Sequence, residues 1–405
     1  MRALAFITGA NPKRGGLGSV GVPGICKALA DRGHHVELHV AGRIIPGAEP
    51  FVRRGADREG DTVASPETFQ VFAHPAYGDW SFAPGLLREP YRRAREADVI
   101  MLYSLYSFPL LAGYLLARLN DKPYAIWPNG VLAPFQRSVS RRKKMVYDRI
   151  IAKRILDEAA VIVYTAIGER EEARPLKLAA PSVVIPHGFD SGPYGRLPAR
   201  DEFRDRYLNG HTGPLVLYLG RLHAKKGLDL LAASVARVAD RMPDVRLAIV
   251  GSGDPPEFAG RVRGWLRDCQ IEDRTVMTGV LIGSEKLAAL AAADLFVQPS
   301  QAENFGYTVF EAMASRVPVV ISDTLSYAAE VERCASGLVV KRDPERFAAA
   351  ILELLGDRER GQRMAENAAH LVRSYSWQRN GEGVERAMQC VLRGIPLPAD
   401  LTLCE

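Results

Sequence analysis

The chain has 405 residues, 47% of them hydrophobic and 25% charged, with a formal net charge of +6. That balance is ordinary for a soluble globular protein, and the length suits about two to three domains with cores of their own. The five cysteines, at 26, 269, 334, 390 and 404, show no Cys-x-x-Cys pair and no metal-ligand spacing, so they read as reduced thiols in a cytoplasmic protein.

The opening stretch, Met1 to Gly9, is too short an apolar run for a signal peptide and is expected to be a first strand, Ala3 to Thr8. Gly9 and Arg14-Gly15-Gly16-Leu17-Gly18 follow, then a helical pattern through Ile25 and Leu29, a turn at Asp31 to His35, and a strand from Val36 to Val40. Strand, Gly-rich turn, helix and strand make one βαβ unit, whose glycines let a ligand approach the backbone. No acidic residue closes the second strand, which ends Ala41-Gly42-Arg43, so a nicotinamide dinucleotide is disfavoured.

Residues 42–67 read as a polar loop or short hairpin. Short apolar strands are expected at Thr68 to Ala73, Val99 to Tyr103, Tyr124 to Trp127, Val161 to Thr165 and Val183 to Pro186. Helical stretches separate most of them, which implies a doubly wound domain ending near 186–190. The uncharged run Val99 to Ala117 approaches the length of a membrane span, but Ser107-Phe108-Pro109 divides it into a buried strand and a helix that Pro109 helps to start.

The breaker-rich run from Pro186 to Pro198 marks a boundary. A second alternation follows, with strands at Leu215 to Leu219, Val245 to Val250, Thr275 to Thr278, Leu295 to Gln298, Pro318 to Ser322 and Gly337 to Val340. Helices are expected at 227–241, 257–269, 284–293, 307–316 and 344–356, then Gly361 to Tyr375 and Trp377 to Arg393. The fold class is therefore α/β, with two Rossmann-like doubly wound domains facing a central cleft. The first domain is read as 1–188, joined by a C-terminal helix at 378–405 that crosses back to it; the second is read as 189–377. Trp377 suits either an anchor for that crossing or an ordinary core position.

Charge divides along the same line. Residues 1–200 hold 28 Lys and Arg against 19 Asp and Glu, while the remainder is net −3, which points to an anionic partner for the first half alone. Arg137 to Arg154 concentrates eight cations against one acid, Asp148, with Val146, Ile150, Ile151 and Ile155 at helical spacing. No aromatic platform accompanies the run, so nucleic acid is set aside. A solvated helix face and an anionic membrane surface are the two readings left.

Two stretches of the second half carry chemistry. In Leu219-Gly220-Arg221-Leu222-His223-Ala224-Lys225-Lys226-Gly227, Arg221 and Lys226 flank a turn before a helix, an arrangement suited to a diphosphate. In Gln298 to Ser315, a strand runs into a loop bearing Glu303, Gly306 closes the loop, and a helix starts near Tyr307 with Glu311 about one turn inside. A helix start there is a ready anion site. Taken alone, Glu303 and Glu311 would be a loop carboxylate and a solvated helical one.

The pattern Gly-Arg-Leu-x-x-x-Lys-Gly, followed by Glu-x-Phe-Gly and a second Glu eight positions on, resembles the family 4 (group 1) retaining glycosyltransferases of GT-B fold. Further echoes run along the chain: Gly15-Gly16, Arg32-Gly33-His34-His35-Val36, Tyr103 to Pro109, Pro186-His187-Gly188-Phe189-Asp190, Val250-Gly251-Ser252-Gly253 and Glu311-Ala312-Met313-Ala314. The resemblance implies transfer of a sugar from a nucleotide-sugar donor, UDP- or GDP-linked, to an acceptor hydroxyl with retention and without a metal. No cofactor is implied beyond that substrate. Arg221 and Lys226 would meet the diphosphate, and Glu311 the ribose. Phe305, Gly306 and Tyr307 would offer amides to sugar and phosphate oxygens, and Glu303 would meet the donor sugar beside the reacting carbon. Backbone at Val280 and Leu281 would meet the base, and Gly16 would also border the donor. Cationic stabilisation of the leaving diphosphate is the main catalytic contribution expected, and no Asp-x-Asp occurs in the chain.

Many relatives carry a His after the strand equivalent to Tyr124 to Trp127, where this chain has Trp127-Pro128-Asn129-Gly130. Asn129 and Gly130 are therefore placed on the acceptor side, but an Asn cannot act as a general base, and none is assigned. This variant, with Arg137 and its basic run, resembles the exopolysaccharide and O-antigen branch, which implies polysaccharide or glycoconjugate synthesis on a sugar or lipid-linked acceptor. The expected location is cytoplasmic, peripheral at the inner face of a membrane. His187 is expected to be structural. A GT-B epimerase and a non-catalytic nucleotide binder are the alternatives.

Overall fold

Residues 1–9, 20–42, 69–78, 80–138 and 147–400 are described by the computed structural model. The chain divides into two compact units, Met1–Gly188 with Tyr375–Thr402, and Phe189–Ser374.

The first unit holds β1 (Arg2–Thr8), β2 (His35–Ala41), β3 (Gln70–His74), β4 (Val99–Tyr103), β5 (Tyr124–Trp127), β6 (Val161–Tyr164) and β7 (Ser182–Val184). They form one parallel sheet in the order β3-β2-β1-β4-β5-β6-β7. Helices cover both faces of such a sheet, so its strands are continuous apolar runs; all five residues of β4 are buried. Alternate residues serve opposite layers. Ile100 and Leu102 join one core with Phe6, whereas Val99, Met101 and Tyr103 join the other with Ala5 and Ile7. The uncharged 99–117 run is accordingly strand, turn and the helix Phe108–Leu119, and no helix among the described residues is long and apolar enough to cross a membrane.

The C-terminal helix Trp377–Arg393 packs in this unit against the helix Val22–Ala30. The Trp377 indole fills a slot left by two glycines. A Cβ on Gly24 would come within 2.2 Å of the ring, and one on Gly188 within 2.3 Å. Asn380 Nδ2 donates to Pro186 O at 2.7 Å one turn further on.

The second unit holds β8 (Leu215–Leu219), β9 (Arg246–Val250), β10 (Thr275–Gly279), β11 (Leu295–Gln298), β12 (Val319–Ser322) and β13 (Leu338–Val340). These strands are again all parallel, in the order β10-β9-β8-β11-β12-β13. Strand order reverses between β8 and β11, so the loops after these two strands diverge and leave a crevice at the carboxyl edge, where open α/β sheets bind ligands.

The cysteine expectation changes. Cys26, Cys269 and Cys390 are free, but Cys334 is disulfide-bonded, so the expectation of reduced thiols throughout fails there. Of the basic run, residues 139–146 lie outside the described residues. Lys153 and Arg154, on the helix Lys153–Asp157, each pair with an acid four positions on, Asp157 and Glu158, and Arg137 lies 3.6 Å from Asp148. These cations are thus partly neutralised within their own surface.

Candidate active site

The loops after β8 and β11 are tied together at the switch point. Gln301 N donates to Lys225 O at 2.7 Å, and Arg342 Nε, arriving after β13, donates to Pro299 O at 3.1 Å. Gly227 sits at φ +67°, and a Cβ there would lie 2.3 Å from Pro299 O. Only glycine satisfies both the left-handed backbone and the contact. Ser322 Oγ and Thr324 Oγ1 donate to Ser300 O, the latter at 3.0 Å, and fix the far side of the turn.

That close approach brings Lys226 to Glu303. Their side chains are about 10% exposed, and Lys226 Nζ donates to Glu303 Oε1. Ser300 Oγ donates to the same oxygen at 3.3 Å, and Gln298 Nε2 lies 3.5 Å from it. Burial pushes the Glu303 pKa up, but the charges of Lys226 and Lys225 with the bonds from Lys226 and Ser300 outweigh it, and the carboxyl is held below its ordinary range. Glu303 is therefore an ionised acceptor, not an acid.

Arg221 is half exposed and pairs with Asp254 from the loop after β9, while Tyr218 Oη donates to Arg221 O at 2.9 Å and fixes its backbone. Both cations are thus met by carboxylates, but neither is consumed: guanidinium has five N–H donors and ammonium three.

Gly306 is the N-cap of the helix Tyr307–Ala314, at φ +68°, and it carries no side chain to cap the first turn. Its missing Cβ leaves room for Tyr327, whose hydroxyl would lie 2.1 Å from such an atom. Phe305 stacks on Phe310 at 4.4 Å and is buried, which holds the entry to the helix. One turn in, Glu311 Oε1 accepts from Lys286 Nζ at 2.9 Å. After β10, Val280 is exposed and Leu281 buried, on a loop between Gly279 and Gly283 at the same edge of the sheet.

Arg221, Lys226, Val280, Leu281, Glu303, Phe305, Gly306, Tyr307 and Glu311 therefore all lie on the carboxyl-edge loops of one sheet or on the helix that follows. Gly16 lies outside the described residues. Asn129 and Gly130 belong to the first unit, directly after β5. Asn129 adopts φ +56°, and its Oδ1 faces His187 Nε2 at 3.1 Å. Burial holds the His187 pKa down at about 4, so the ring is neutral at neutral pH and serves as a buried hydrogen-bonding partner. Gly130 N donates at 2.6 Å to Glu169, a fully buried carboxyl that also receives Thr165 N. Burial, outweighing those bonds, raises the Glu169 pKa.

Sequence reasoning missed Asp254, Lys286, Ser300 and Arg342. Asp254, Lys286 and Arg342 each meet their partners across a strand crossover, which no local pattern marks, whereas Ser300 stands only three residues before Glu303 in the same loop. The described residues hold no group of three or more His, Cys, Asp or Glu able to bind a metal.

Residues 199–371 match the family of glycosyl transferases group 1, and residues 18–206 match the glycosyl transferase 4-like domain. A GDP-mannose-dependent α-(1-6)-phosphatidylinositol monomannoside mannosyltransferase of Mycobacterium tuberculosis is 27% identical over 90% of this chain and 91% of its own length. A D-inositol 3-phosphate glycosyltransferase of Corynebacterium glutamicum is 31% identical over 73% of each chain. These names give the exopolysaccharide and O-antigen branch no support. Among solved structures, Anabaena HepE in complex with UDP and glucose superposes with a TM-score of 0.74 at 18% identity, covering 96% of this chain and 99% of that one. Sucrose-phosphate synthase of Thermosynechococcus elongatus gives 0.71 at 22% identity, over 97% and 99%. At these identities the likeness establishes the fold, GT-B. The chain belongs to the group 1 glycosyltransferases, and it is an enzyme that transfers hexosyl groups.

Proposed function

We propose that the chain moves a hexose from a nucleotide-sugar donor to a hydroxyl of a phosphorylated or lipid-linked acceptor, with retention at the anomeric carbon, in glycolipid or polysaccharide synthesis. The observation that carries the donor side is the pairing of Lys226, on the loop after β8 that also bears Arg221, with Glu303, on the loop after β11 that leads into the Gly306-capped helix, at the switch point of the sheet. In this reading Arg221, Lys226 and the first-turn amides face the diphosphate. The bond from the anomeric carbon to the phosphate oxygen breaks as one to the acceptor oxygen forms, and charge grows on the leaving diphosphate, where these groups stabilise it. Two cations and a helix dipole there do the work of a divalent ion, which is the basis for proposing a metal-independent reaction.

Glu303 accepts from sugar hydroxyls while sharing Lys226. Glu311 faces the ribose, Val280 and Leu281 the base, and Gly16 completes the donor border. Asn129 and Gly130 are proposed on the acceptor side, where an amide orients a hydroxyl but takes no proton. The departing phosphate oxygen, on the retained face, is then the proton's acceptor. The described part of the basic run, with Arg137, Lys153 and Arg154, is proposed to rest on an anionic membrane at its inner face, worth about 1 kcal/mol per cation near the surface.

The epimerase alternative is not favoured by a family match to transferases. The names of the curated relatives make GDP-mannose with a phosphatidylinositol-type acceptor, and inositol phosphate, the first combinations to try. A screen of UDP- and GDP-sugars for donor hydrolysis, repeated with these acceptors and with EDTA, tests the reading. Turnover of one donor that survives EDTA and yields the retained anomer is the expected result. No hydrolysis and no transfer with any donor would overturn it.

A further inference from the structure

Glu311 is 13% exposed at its side chain, and its two oxygens differ. Oε1 accepts from Lys286 Nζ at 2.9 Å, whereas Oε2 is buried and, among the described residues, has no hydrogen-bond partner. Lys286 stands on the helix Gly283–Ala292, which begins directly after the Val280–Ile282 loop. Its ammonium also lies 3.4 Å from the Tyr194 hydroxyl and 5.8 Å from that ring's centroid. Tyr194 stacks on Phe189 at 5.4 Å, and Phe189 meets Phe310 on the same helix as Glu311. Burial, followed by the Glu311 charge and a hydrogen bond with Glu311, pushes the Tyr194 pKa up, so it remains a neutral phenol.

A carboxylate this buried needs a counter-charge, and removing the partner of a buried pair leaves that charge uncompensated. Lys286 supplies the counter-charge at Oε1, the Tyr194 hydroxyl is a further hydrogen-bond partner of the carboxylate, and the remaining acceptor capacity of the group is unused among the described residues. Vicinal hydroxyls present two donors, and a carboxylate oxygen has two lone pairs to receive them.

We infer that Lys286 is a positioning residue for the ribose of the donor: it fixes the Glu311 carboxylate that meets the vicinal hydroxyls, so that the site selects ribonucleotides over 2′-deoxyribonucleotides. This rests on the donor reading given above. A 2′-deoxy ligand leaves the Glu311 carboxylate short of a donor, and a charged acceptor deprived of its donor carries a large penalty. Without Lys286 the carboxylate keeps only its neutral Tyr194 partner and is held less firmly, and the distinction between the two sugars fades.

The test uses the full chain, with UDP, GDP and their 2′-deoxy counterparts titrated calorimetrically, alongside steady-state donor hydrolysis. The wild type is expected to prefer the ribo form by about ten-fold or more. Lys286→Met is expected to cut that preference to about two-fold and to raise donor KM with kcat little changed, and Lys286→Arg to restore most of both. Lys286→Gln provides a second neutral variant should Lys286→Met fold poorly. A neutral variant that folds and keeps the wild-type preference, or that lowers kcat at constant KM, overturns the inference. A wild type that binds no nucleoside diphosphate overturns the donor reading itself, and the inference with it.

Discussion

Gly227→Ala probes the join between the two loops that build the site. The added Cβ would stand 2.3 Å from the Pro299 carbonyl oxygen, a backbone atom that cannot rotate away. An ordinary carbon–oxygen contact needs about 1 Å more, so the loops must part by roughly that much. Alanine at φ +67° adds about 1–2 kcal/mol of backbone strain. Parting the loops lengthens the Gln301 N to Lys225 O bond, now 2.7 Å, and draws Lys226 away from Glu303. Misplacement of reacting groups by about 1 Å costs on the order of 10²-fold in rate. Gly227→Ala should therefore lower donor-hydrolysis kcat/KM by about 10²-fold while costing only a few degrees of thermal midpoint. Steady-state kinetics and calorimetric melting read the two effects separately. Wild-type kcat/KM in a folded variant would refute the argument that this glycine sets the distance between the loops.

Lys226→Met should lower kcat/KM by about 10²–10³-fold, as loss of one stabilising donor does elsewhere. It also removes the first of the charges that hold Glu303 down and leaves burial to push its pKa up, so the acid limb of the pH–rate profile should move to higher pH; a limb that stays put refutes the pairing. In the wild type the folded Glu303 pKa lies below its ordinary value of 4.5, so its contribution to stability is present above that value and is lost as pH falls through the depressed one. Glu303→Gln should flatten that part of the stability–pH curve, read by denaturant titration. His187, held at about 4 against an ordinary 6.5, resists protonation when folded, so acidification across that window should destabilise the chain by up to about 3 kcal/mol. His187→Gln should remove this share of the slope. Arg204, 3% exposed at its side chain, donates to the carbonyls of His211, Gly213 and Ala292 and to Asp294; Arg204→Leu should cost about 3–5 kcal/mol in chemical denaturation by stranding those acceptors.

What was legible in the sequence was local. Leu295 to Gln298 is a short apolar run closed by Pro299, and β11 has those bounds. Gly306 before a helical pattern marks a left-handed cap, and the helix starts at Tyr307. The Gly-Arg-Leu-x-x-x-Lys-Gly and Glu-x-Phe-Gly patterns located the loops of the switch point because such turns need glycine and cations at fixed offsets. What was not legible is pairwise and distant. Lys286 meets Glu311 across 25 residues and Arg221 meets Asp254 across 33, each through a crossover. Nor did the sequence indicate that Lys226 and Glu303, expected at separate parts of the donor, would share a buried ion pair; parallel strands set that distance, and a single sequence does not encode it in any pattern. The disulfide at Cys334 escaped because isolated cysteines carry no pairing signal.

A crystal structure of the full chain with UDP or GDP tests the central claim most directly. Diphosphate oxygens are expected within hydrogen-bond distance of Arg221, Lys226 and the amides at 306–308, with the ribose hydroxyls on Glu311. A nucleotide bound with its diphosphate away from the β8/β11 switch point, or with its ribose off Glu311, would contradict it.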